Sequence, residues 1–571
     1  MDKMIVVGNE NFDEFIREDG YYVDKTELLY ELVAESRNKV TLFTRPRRFG
    51  KTLTMSMMES FFDIRRNSSD VFKNFDIVKN HPDFCEKWMN QYPVLFISFK
   101  DVEGLDFSDA YAMLKSSIAR LCIMFSFLAE NEAVNPADRD VFLRLMNKTA
   151  SLDEIKSSLD TIMRMMYGVY GRHVILLIDE YDVPLAKAEA SGSRDYYVQM
   201  LDVIRSILSI SLKTNEYLKF SVITGCMRIS KESIFTGVNN FSCYSVTSRK
   251  FSRYFGFTQD EVEKMLEAFG LSDKLEIIKK WYDGYIFGNT EVFCPWDVVS
   301  YLSLVIDDEG EEPQNFWANT SSNSILDDFV NHRKIDAADK FEILLNGGTI
   351  TEDICDELTY DSISESEKNL WSVLLMTGYV SKADITSEKG KVKLRIPNTE
   401  IANIFRDAVM KRFERTLDAS RVDAFITAMW SKDVNTASEM LSEILWDSIS
   451  YFDYGEDYYH GMLNGIFVSR GYLPDSNDEA GLGRLDLRVK ERAARRVLLL
   501  EFKRSKTEKD LDADCDEAID QIIKNGYHKI IPEGYETMIV YGIAFFGKKA
   551  QVKLMKQKKP PRELSSVCSG K

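Results

Sequence analysis

Four short apolar runs mark the N-terminal part of the chain, and amphipathic stretches separate them. The runs are rich in β-branched residues and stay apolar throughout: Lys39–Thr44, Pro93–Phe99, His173–Ile178 and Phe220–Thr224. The stretches between them include Leu53–Ile64 and Leu152–Met166, which have helical periodicity. Continuous rather than alternating apolarity indicates strands that are covered on both faces. We therefore predict a parallel α/β sheet.

The pattern becomes mostly helical from Thr258 to Leu344, with a turn at Trp281–Gly288. A predicted helix, strand pair and helix follow at Leu370–Tyr379, Lys391–Pro397 and Glu400–Arg415. This order suits a small winged-helix module. A helical spacer begins after Asp418, and a second α/β unit begins near Ser448. We predict an α/β multidomain protein with domains at 1–255, 256–345, 346–447 and 448–571.

Composition narrows the class of protein. The chain has 571 residues, of which 44% are hydrophobic and 29% charged, which excludes a collagen, a coiled-coil rod and a disordered chain. No run reaches the ~20 apolar residues that a membrane span needs. The first residues are acidic where a signal peptide would be basic and then apolar. Its eight cysteines are scattered without a CxxC pair. We expect a cytoplasmic protein with no membrane contact and no disulfide framework or zinc site.

The net charge of −18 is unevenly distributed. Residues 451–571 hold 21 Lys and Arg against 19 Asp and Glu, whereas residues 1–450 hold 52 basic and 72 acidic residues. The acidic part is unsuited to nonspecific phosphate binding, and the C-terminal part could bind nucleic acid. An acidic protein with an uneven surface would show the same distribution.

A phosphate-binding motif follows the first predicted strand. Residues 45–52 read RPRRFGKT and match GxxxxGK[ST], except that Arg45 stands at the first glycine position. Gly50 would let the backbone approach phosphates, Lys51 would reach the β- and γ-phosphates, and the Thr52 hydroxyl would bind Mg²⁺. The predicted nucleotide-binding residues are Arg45, Pro46, Arg47, Arg48, Phe49, Gly50, Lys51 and Thr52.

Two later strands supply the partners of this loop. The third apolar run ends in Asp179 and Glu180. Asp179 suits a Mg²⁺ contact, and Glu180 suits a base that polarises the attacking water. The fourth run ends at Thr224, where a polar tip residue can sense the γ-phosphate, and Arg228 can add positive charge. We predict nucleotide binding and hydrolysis; an acidic loop that caps a strand, and an Arg228 that pairs with a surface carboxylate, are the simpler alternatives.

The C-terminal unit contains a second constellation. Asp486 lies in an alternating segment, and a later predicted strand runs into Glu501 and Lys503, which project to the same face. Two carboxylates can bind Mg²⁺, and an adjacent lysine can activate water and stabilise phosphate charge. Glu456 and His460 are four residues apart on a predicted helix and share a face, although His460 could equally be a packing residue.

These residues resemble a known family. The motifs YYVDKTELL (21–29), RPRRFGKT (45–52), LLIDEYDVPL (176–185), SIFTGVNNF (233–241), WYDGYIFG (281–288) and RIPNTEI (395–401) resemble the bacterial AAA-ATPase-like proteins, which are predicted ATPases with a C-terminal PD-(D/E)XK nuclease-like domain. The resemblance implies a P-loop ATPase core of the additional-strand type at 1–255, a helical lid, a winged-helix-like middle with a helical spacer, and a restriction-endonuclease-like fold from residue 448. The family shares the arginine at the first loop position.

The resemblance also implies functional residues. Onto the ATPase motifs it carries phosphate and Mg²⁺ contacts at Lys51 and Thr52, the Walker B carboxylates Asp179 and Glu180, and a sensor position at Arg228. Onto the nuclease core it carries Asp486, Glu501, Lys503 and Glu456. The proline that precedes the first aspartate in many nucleases is replaced by Leu485 here.

Three hypotheses follow. The leading one is an ATPase whose nucleotide cycle controls a Mg²⁺-dependent nuclease acting on DNA or RNA. The second is a nucleotide-dependent switch with a nuclease-like domain that binds but does not cleave, and the acidic N-terminal part favours a protein partner there. The third is a motor that remodels nucleic acid or protein, which would require substrate-stimulated ATPase activity and self-association.

Overall fold

The computed structural model describes residues 3–36, 38–229, 241–317, 338–345, 347–358, 366–385, 391–416, 418–448, 456–480, 483–526 and 534–555. The chain forms two compact units. The first comprises Met1–Asp336 with Ile343–Ile404, and the second comprises Ala337–Glu342 with Phe405–Lys571. The four domain boundaries stay a prediction from the sequence.

The strands are numbered in chain order. They are β1 Val40–Thr44, β2 Val94–Ser98, β3 Val174–Asp179, β4 Leu218–Gly225, β5 Arg228–Ile229, β6 Phe241–Tyr244, β7 Tyr285–Phe287, β8 Thr290–Val292, β9 Ile350–Asp353, β10 Glu357–Leu358, β11 Ser381–Lys382, β12 Lys391–Arg395, β13 Leu473–Ala480, β14 Gly483–Glu491, β15 Arg496–Arg504, β16 Thr537–Phe546 and β17 Lys549–Leu554.

Helices connect and cover these strands. The α-helices are Phe12–Arg17, Glu27–Tyr30, Lys51–Phe62, Ser69–Phe72, Asp76–Asn80, Pro82–Trp88, Phe107–Met124, Phe127–Glu130, Pro136–Met146, Leu152–Lys156, Ser158–Tyr170, Val183–Ala190, Arg194–Leu212, Gln259–Phe269, Leu275–Tyr282, Pro295–Asp307, Ala338–Leu345, Glu367–Thr377, Thr399–Thr416, Ala419–Ser431, Val434–Ser448, Glu456–Val468 and Leu511–Asn525. Glu31–Ser36 is π-helical, and Ser252–Tyr254, Ser272–Lys274 and Glu508–Asp510 are 3₁₀-helical. The predicted stretch Leu152–Met166 is thus two helices rather than one.

The first unit is built on a five-stranded parallel sheet in the order β2-β3-β4-β1-β6. All residues of β1 and β3 are buried, as their continuous apolarity predicted. Strand β6 was not predicted because its residues, FSCY, are only half-buried. Since the strands are parallel, the carboxyl ends of β1, β3 and β4 meet at one edge of the sheet. The predicted parallel α/β sheet is confirmed.

A helical region follows the sheet. Thr258 and Glu261 form a capping box that starts the helix Gln259–Phe269, because each side chain satisfies a free backbone N–H of the other. This helix shares an apolar core with Leu275–Tyr282 and Pro295–Asp307. Beyond it, β11, β12 and β9 form an antiparallel sheet in that order. The predicted helix, strand pair and helix are present, with β9 as an additional strand.

The second unit contains a five-stranded mixed sheet in the order β13-β14-β15-β16-β17, in which β15 and β16 are parallel and the other pairs antiparallel. The helix Leu511–Asn525 connects the parallel pair. Leu498, Leu500 and Phe502 of β15 pack into the larger core, which includes three preceding helices. Val497 and Leu499 pack on the other face with Ile522. This alternation places Glu501 and Lys503 on the side of the helix Leu511–Asn525.

In the part of the chain that the structure describes, no helix is long and apolar enough to cross a membrane.

Candidate functional sites

The phosphate-loop sequence lies between the end of β1 and the start of the helix Lys51–Phe62. Arg48 and Gly50 have positive φ angles of 71° and 76°, so the backbone turns through left-handed conformations just before the helix. A Cβ atom at Gly50 would meet no heavy atom within 4 Å, so the loop is open there. The Lys51 ammonium donates to the carbonyl oxygens of Arg45 at 3.2 Å and Pro46 at 3.0 Å. This helix N-terminus and its lysine form a cationic cradle suited to a phosphate.

The first helical turn is linked directly to the tip of β3. The Thr52 hydroxyl donates to Asp179 Oδ2 at 2.8 Å, and the Thr224 hydroxyl donates to Asp179 Oδ1. Asp179 is fully buried, and burial raises the pKa of its carboxyl, while the bonds from Thr224 and Thr52 oppose that rise. The structure therefore brings together, at one sheet edge, the hydroxyl and the carboxylate that the sequence assigned to Mg²⁺.

Glu180 follows in a strained conformation. Its φ angle is 54°, uncommon for a residue with a side chain, and its amide donates to the Thr224 hydroxyl at 3.3 Å. Burial raises the pKa of the Glu180 carboxyl, and the positive charge of Lys51 opposes the rise. A carboxylate with a raised pKa beside a phosphate cradle has the chemistry of a general base.

A cleft of about 510 Å³ opens beside the loop. Arg47, Arg48, Phe49, Gly50, Lys51 and Thr52 line it together with Glu180. The rest of its lining includes the apolar and aromatic residues Ile5, Val6, Tyr21, Val23, Tyr254, Phe257, Trp296 and Val299. Mixed lining of this kind and this volume suit a ligand with a flat apolar body and a charged tail. Sequence reasoning missed Trp296 and the segment around Ile5, because only the fold brings them to the loop.

Arg45 differs from its predicted role as a nucleotide-binding side chain. Its guanidinium is fully buried and does not line the cleft. Nη1 donates to the carbonyl oxygens of Thr44 and Tyr244, each at 2.8 Å. The guanidinium carbon lies 5.1 Å from the ring centroid of Phe255 and 5.3 Å from that of Phe287. These contacts direct the side chain into the core, and burial lowers the pKa of Arg45 to about 9.

Arg228 also lies apart from the cleft lining. Its guanidinium is 5.6 Å from the ring centroid of Phe241, and its backbone in β5 pairs with Glu357. The turn that leads to it is held by Asp182, whose Oδ2 accepts from the amides of Cys226 and Met227 at 2.9 Å each. The sensor role of Arg228 stays a prediction. The resemblance motif at 233–241 lies outside the described residues except for Phe241.

The second constellation lies where β14 and β15 pair. The ladder joins Leu487 to Leu500, which makes Asp486 and Glu501 the next opposing residues. The Phe502 amide donates to Asp486 Oδ2 at 2.8 Å, and the Asp486 amide lies 3.5 Å from Glu501 Oε2. Glu501 is 1% exposed. The fold therefore brings the two predicted carboxylates side by side.

The other predicted residues of this site make contacts of different kinds. The Lys503 ammonium is 3.8 Å from Glu517 Oε1 on the helix Leu511–Asn525. His460 Nε2 lies 2.6 Å from the Asp486 carbonyl oxygen, which supports its alternative role as a packing residue that orders the helix on the sheet. Glu456 is the first residue of the helix Glu456–Val468, and its side chain lies outside the described part of the chain.

Both sites have oxygen ligands of the kind that Mg²⁺ prefers. Thr52 and Asp179 supply a hydroxyl and a carboxylate, and Asp486 and Glu501 supply two carboxylates. Among the residues that the structure describes, no three His, Cys, Asp or Glu side chains form a metal-binding group. Mg²⁺ usually keeps several waters and takes only one or two protein carboxylates, so both donor sets fit it.

Taken together, the parallel sheet, the loop and the β3 carboxylates define a P-loop nucleotide-binding fold, and the mixed sheet with Asp486, Glu501 and Lys503 defines a nuclease-like α/β fold. Residues 6–235 match the family described as predicted AAA-ATPase, and residues 454–554 match the PD-(D/E)XK nuclease superfamily. The chain therefore combines an AAA-ATPase-like domain with a PD-(D/E)XK nuclease-superfamily domain, which confirms the resemblance.

A curated protein is similar to this chain over most of its length. An uncharacterized protein in the vnfD 5′ region of Azotobacter chroococcum mcd 1 is 25% identical over 417 residues, which cover 72% of this chain and 70% of the relative. The similarity therefore extends beyond either domain alone.

Proposed function

We propose that this protein binds and hydrolyses ATP in the cleft beside residues 45–52, and that its nucleotide cycle controls Mg²⁺-dependent hydrolysis of DNA or RNA by the C-terminal domain. The observation that carries the first part is the 2.8 Å hydrogen bond from Thr52 to Asp179. It joins the hydroxyl at the helix N-terminus to the carboxylate at the β3 tip, where a nucleotide-bound metal requires both.

Different residues of the cleft have different roles in the proposed ATPase reaction. Lys51 exchanges its two carbonyl partners for phosphate oxygens, and Trp296 offers a face for the base. Glu180 orients the attacking water and accepts its proton, a task favoured by its raised pKa. Mg²⁺, when bound at Thr52 and Asp179, offsets the negative charge of the phosphates.

The ATPase proposal is tested with purified full-length protein. Lys51→Met should weaken ATP binding by at least tenfold, and Glu180→Gln should retain binding but lose hydrolysis, since it keeps the side-chain size and removes the base. Lys213→Met, at an exposed lysine of the same unit, is the matched control. Equal phosphate release by Glu180→Gln and wild type would contradict the role of Glu180.

The C-terminal domain would hydrolyse a phosphodiester at β14 and β15. Asp486 and Glu501 would hold Mg²⁺, which stabilises the charge that develops on the phosphate. Lys503 lies on the same face of β15 as Glu501, so its ammonium can orient water or contact the phosphate once it leaves Glu517. The near-neutral balance of charge in residues 451–571 is compatible with a nucleic-acid partner.

Cleavage is measured on labelled single- and double-stranded DNA and RNA with Mg²⁺ or Mn²⁺. Lys503→Met and Asp486→Asn should each abolish cleavage, whereas Lys509→Met, at an exposed lysine just beyond the strand, should not. Control by the nucleotide cycle predicts that ATP, ADP and a non-hydrolysable analogue give different cleavage rates. Identical rates in all three, with Glu180→Gln unchanged, would refute the coupling.

A nucleotide-dependent switch with a non-cleaving binding domain is the second candidate. It is favoured by one observation: residues 1–450 hold 52 basic and 72 acidic residues, a balance that suits a protein partner rather than nucleic acid for that part of the chain. Wild-type protein that binds ATP but cleaves none of the four substrates, with either metal, would establish this candidate over the nuclease.

A further inference from the structure

Arg45 occupies the position at which phosphate loops normally have glycine, and its surroundings are unusual for an arginine. The residue is 0% exposed, and its Nε and Nη2 atoms have no hydrogen-bond partner among the described residues. Nor is any carboxylate paired with it there. A buried guanidinium left in this state is costly, because it loses hydration that nothing fully replaces. The role of the buried Arg45 guanidinium therefore depends on the contacts that it makes.

The contacts of Arg45 join three strands of the sheet. Its amide donates to the Gly225 carbonyl at the end of β4 at 3.0 Å. Its Nη1 donates to Thr44 at the end of β1 and to Tyr244 at the end of β6. Its own carbonyl accepts from the Lys51 ammonium at 3.2 Å. The side chain therefore anchors a residue whose carbonyl oxygen is one of the two that accept from the phosphate-binding lysine.

Two aromatic rings from the region that follows the sheet lie near the guanidinium. Phe255 and Phe287 lie 5.1 and 5.3 Å away, within the distance at which a cation is attracted to an aromatic face. Phe287 belongs to β7, inside the Trp281–Gly288 motif. The loop makes two further contacts with this region: the Phe49 ring packs 4.9 Å from the Phe287 ring, and the Arg48 guanidinium lies 4.0 Å over Trp296.

We propose that Arg45 is a positioning residue that clamps the phosphate loop to two segments that follow the sheet, through Phe255 and Phe287, so that Lys51 is held in its binding position. This inference rests on the proposed ATP-binding function. In this arrangement the contacts of the Arg45 side chain set the conformation of the phosphate loop, whereas in the usual motif the backbone freedom of a glycine allows it. The loop and these two segments then move as one body when a nucleotide enters.

The test exploits the departure from the usual motif. Arg45→Gly restores GxxxxGK and would improve or preserve nucleotide binding if Arg45 were merely tolerated. The proposal expects the reverse, a loss of at least tenfold in affinity for a fluorescent ATP analogue. Arg45→Lys keeps the charge without the planar group and should recover only part of the affinity. Arg45→Gly that binds as tightly as wild type would overturn the proposal.

Melting temperature distinguishes a positioning role of Arg45 from a role in fold stability alone. Arg45→Met replaces the buried charge by an apolar group of similar length, so the nucleotide-free protein should melt at or above the wild-type temperature while its ATP affinity still falls. Arg172→Met is the control, since Arg172 also lies over a ring, Tyr92 at 6.0 Å, and donates to a backbone carbonyl, that of Gln91 at 2.6 Å, away from the loop. It should leave ATP affinity unchanged. Parallel losses of stability and affinity in Arg45→Met would refute a positioning role.

Failure of the proposed ATP binding and failure of the proposed clamp give different results. Wild-type protein that fails to bind the ATP analogue refutes the proposed function, whereas wild type that binds with Arg45→Gly unchanged refutes only the clamp. If Arg45→Gly does not fold, Phe287→Leu decides, because it removes one ring of the clamp and leaves the loop sequence intact. A several-fold loss of affinity in folded Phe287→Leu supports the clamp, and unchanged affinity overturns it.

Discussion

Thr224→Val would test the hydrogen-bond network that holds the β3 carboxylate. Thr224 is buried, and valine has nearly its shape, so the substitution removes a hydroxyl and little else. That hydroxyl donates to Asp179 and accepts from the Glu180 amide at 3.3 Å. After the change, one carboxylate oxygen and one amide would be buried without these partners.

The magnitude follows from the two lost partners. An unsatisfied buried polar group costs about 1–3 kcal/mol, and more when it is charged, so the substitution should destabilise the fold by about 2–5 kcal/mol. Burial already raises the pKa of Asp179, and the Thr224 bond opposes that rise. Losing the bond raises the pKa further. A carboxylate must be ionised to bind Mg²⁺. As the pH is lowered, the variant should therefore lose Mg²⁺ binding at a higher pH than the wild type does.

The assay is Mg²⁺·ATP affinity of the full-length protein, measured from pH 5 to 8 with wild type, Thr224→Val and Thr224→Ser. Serine keeps the hydroxyl and serves as the matched control. We expect a wild-type profile for serine and, for valine, a weaker affinity whose decline begins at higher pH. A valine variant with the same melting temperature and pH profile as the serine variant would refute the reasoning.

Three further predictions concern other parts of the chain. Gly542→Ala places a Cβ 2.2 Å from a backbone carbonyl of the facing helix, so it should lower the yield of folded protein and the melting temperature. The loss should be larger than for Gly547→Ala, whose Cβ meets nothing within 4 Å and which adds only the strain of a φ angle of 55°. Burial raises the pKa of Asp297 to about 6 and that of Glu400, its hydrogen-bond partner, to about 10, so folding favours the protonated pair and stability is lost as pH rises from about 4 through these values. Glu400→Gln should therefore flatten the decline in melting temperature between pH 4 and 8, and an unchanged decline would exclude this pair as its cause. Cys226 Sγ lies 4.0 Å from Lys51 Nζ, so Mg²⁺·ATP should slow its alkylation several-fold, as followed by peptide mass spectrometry, and equal rates with and without nucleotide would place ATP elsewhere.

Elements with a strong local signal could be predicted from the sequence. Strands β1 to β4 were found because they are buried on both faces over most of their length, which requires mostly apolar residues. The short strand β6 was missed, since it is half-buried and exists through its pairing with β1. The stretch Leu152–Met166 was predicted as helical, and the structure divides it into two helices at Ser157, a break that periodicity alone does not show.

The candidate sites divide in the same way. The sequence showed which residues stand at strand ends and helix starts. Thr52 and Asp179 could then be paired because the carboxyl ends of parallel strands meet at one edge of the sheet. Asp486 and Glu501 could be paired because side chains alternate between the two faces of neighbouring strands. Only the tertiary structure decided which way Arg45 points. Its side chain could serve a phosphate or the core equally well by sequence, and the choice depends on Phe255 and Phe287, which lie far along the chain and reach Arg45 only after folding.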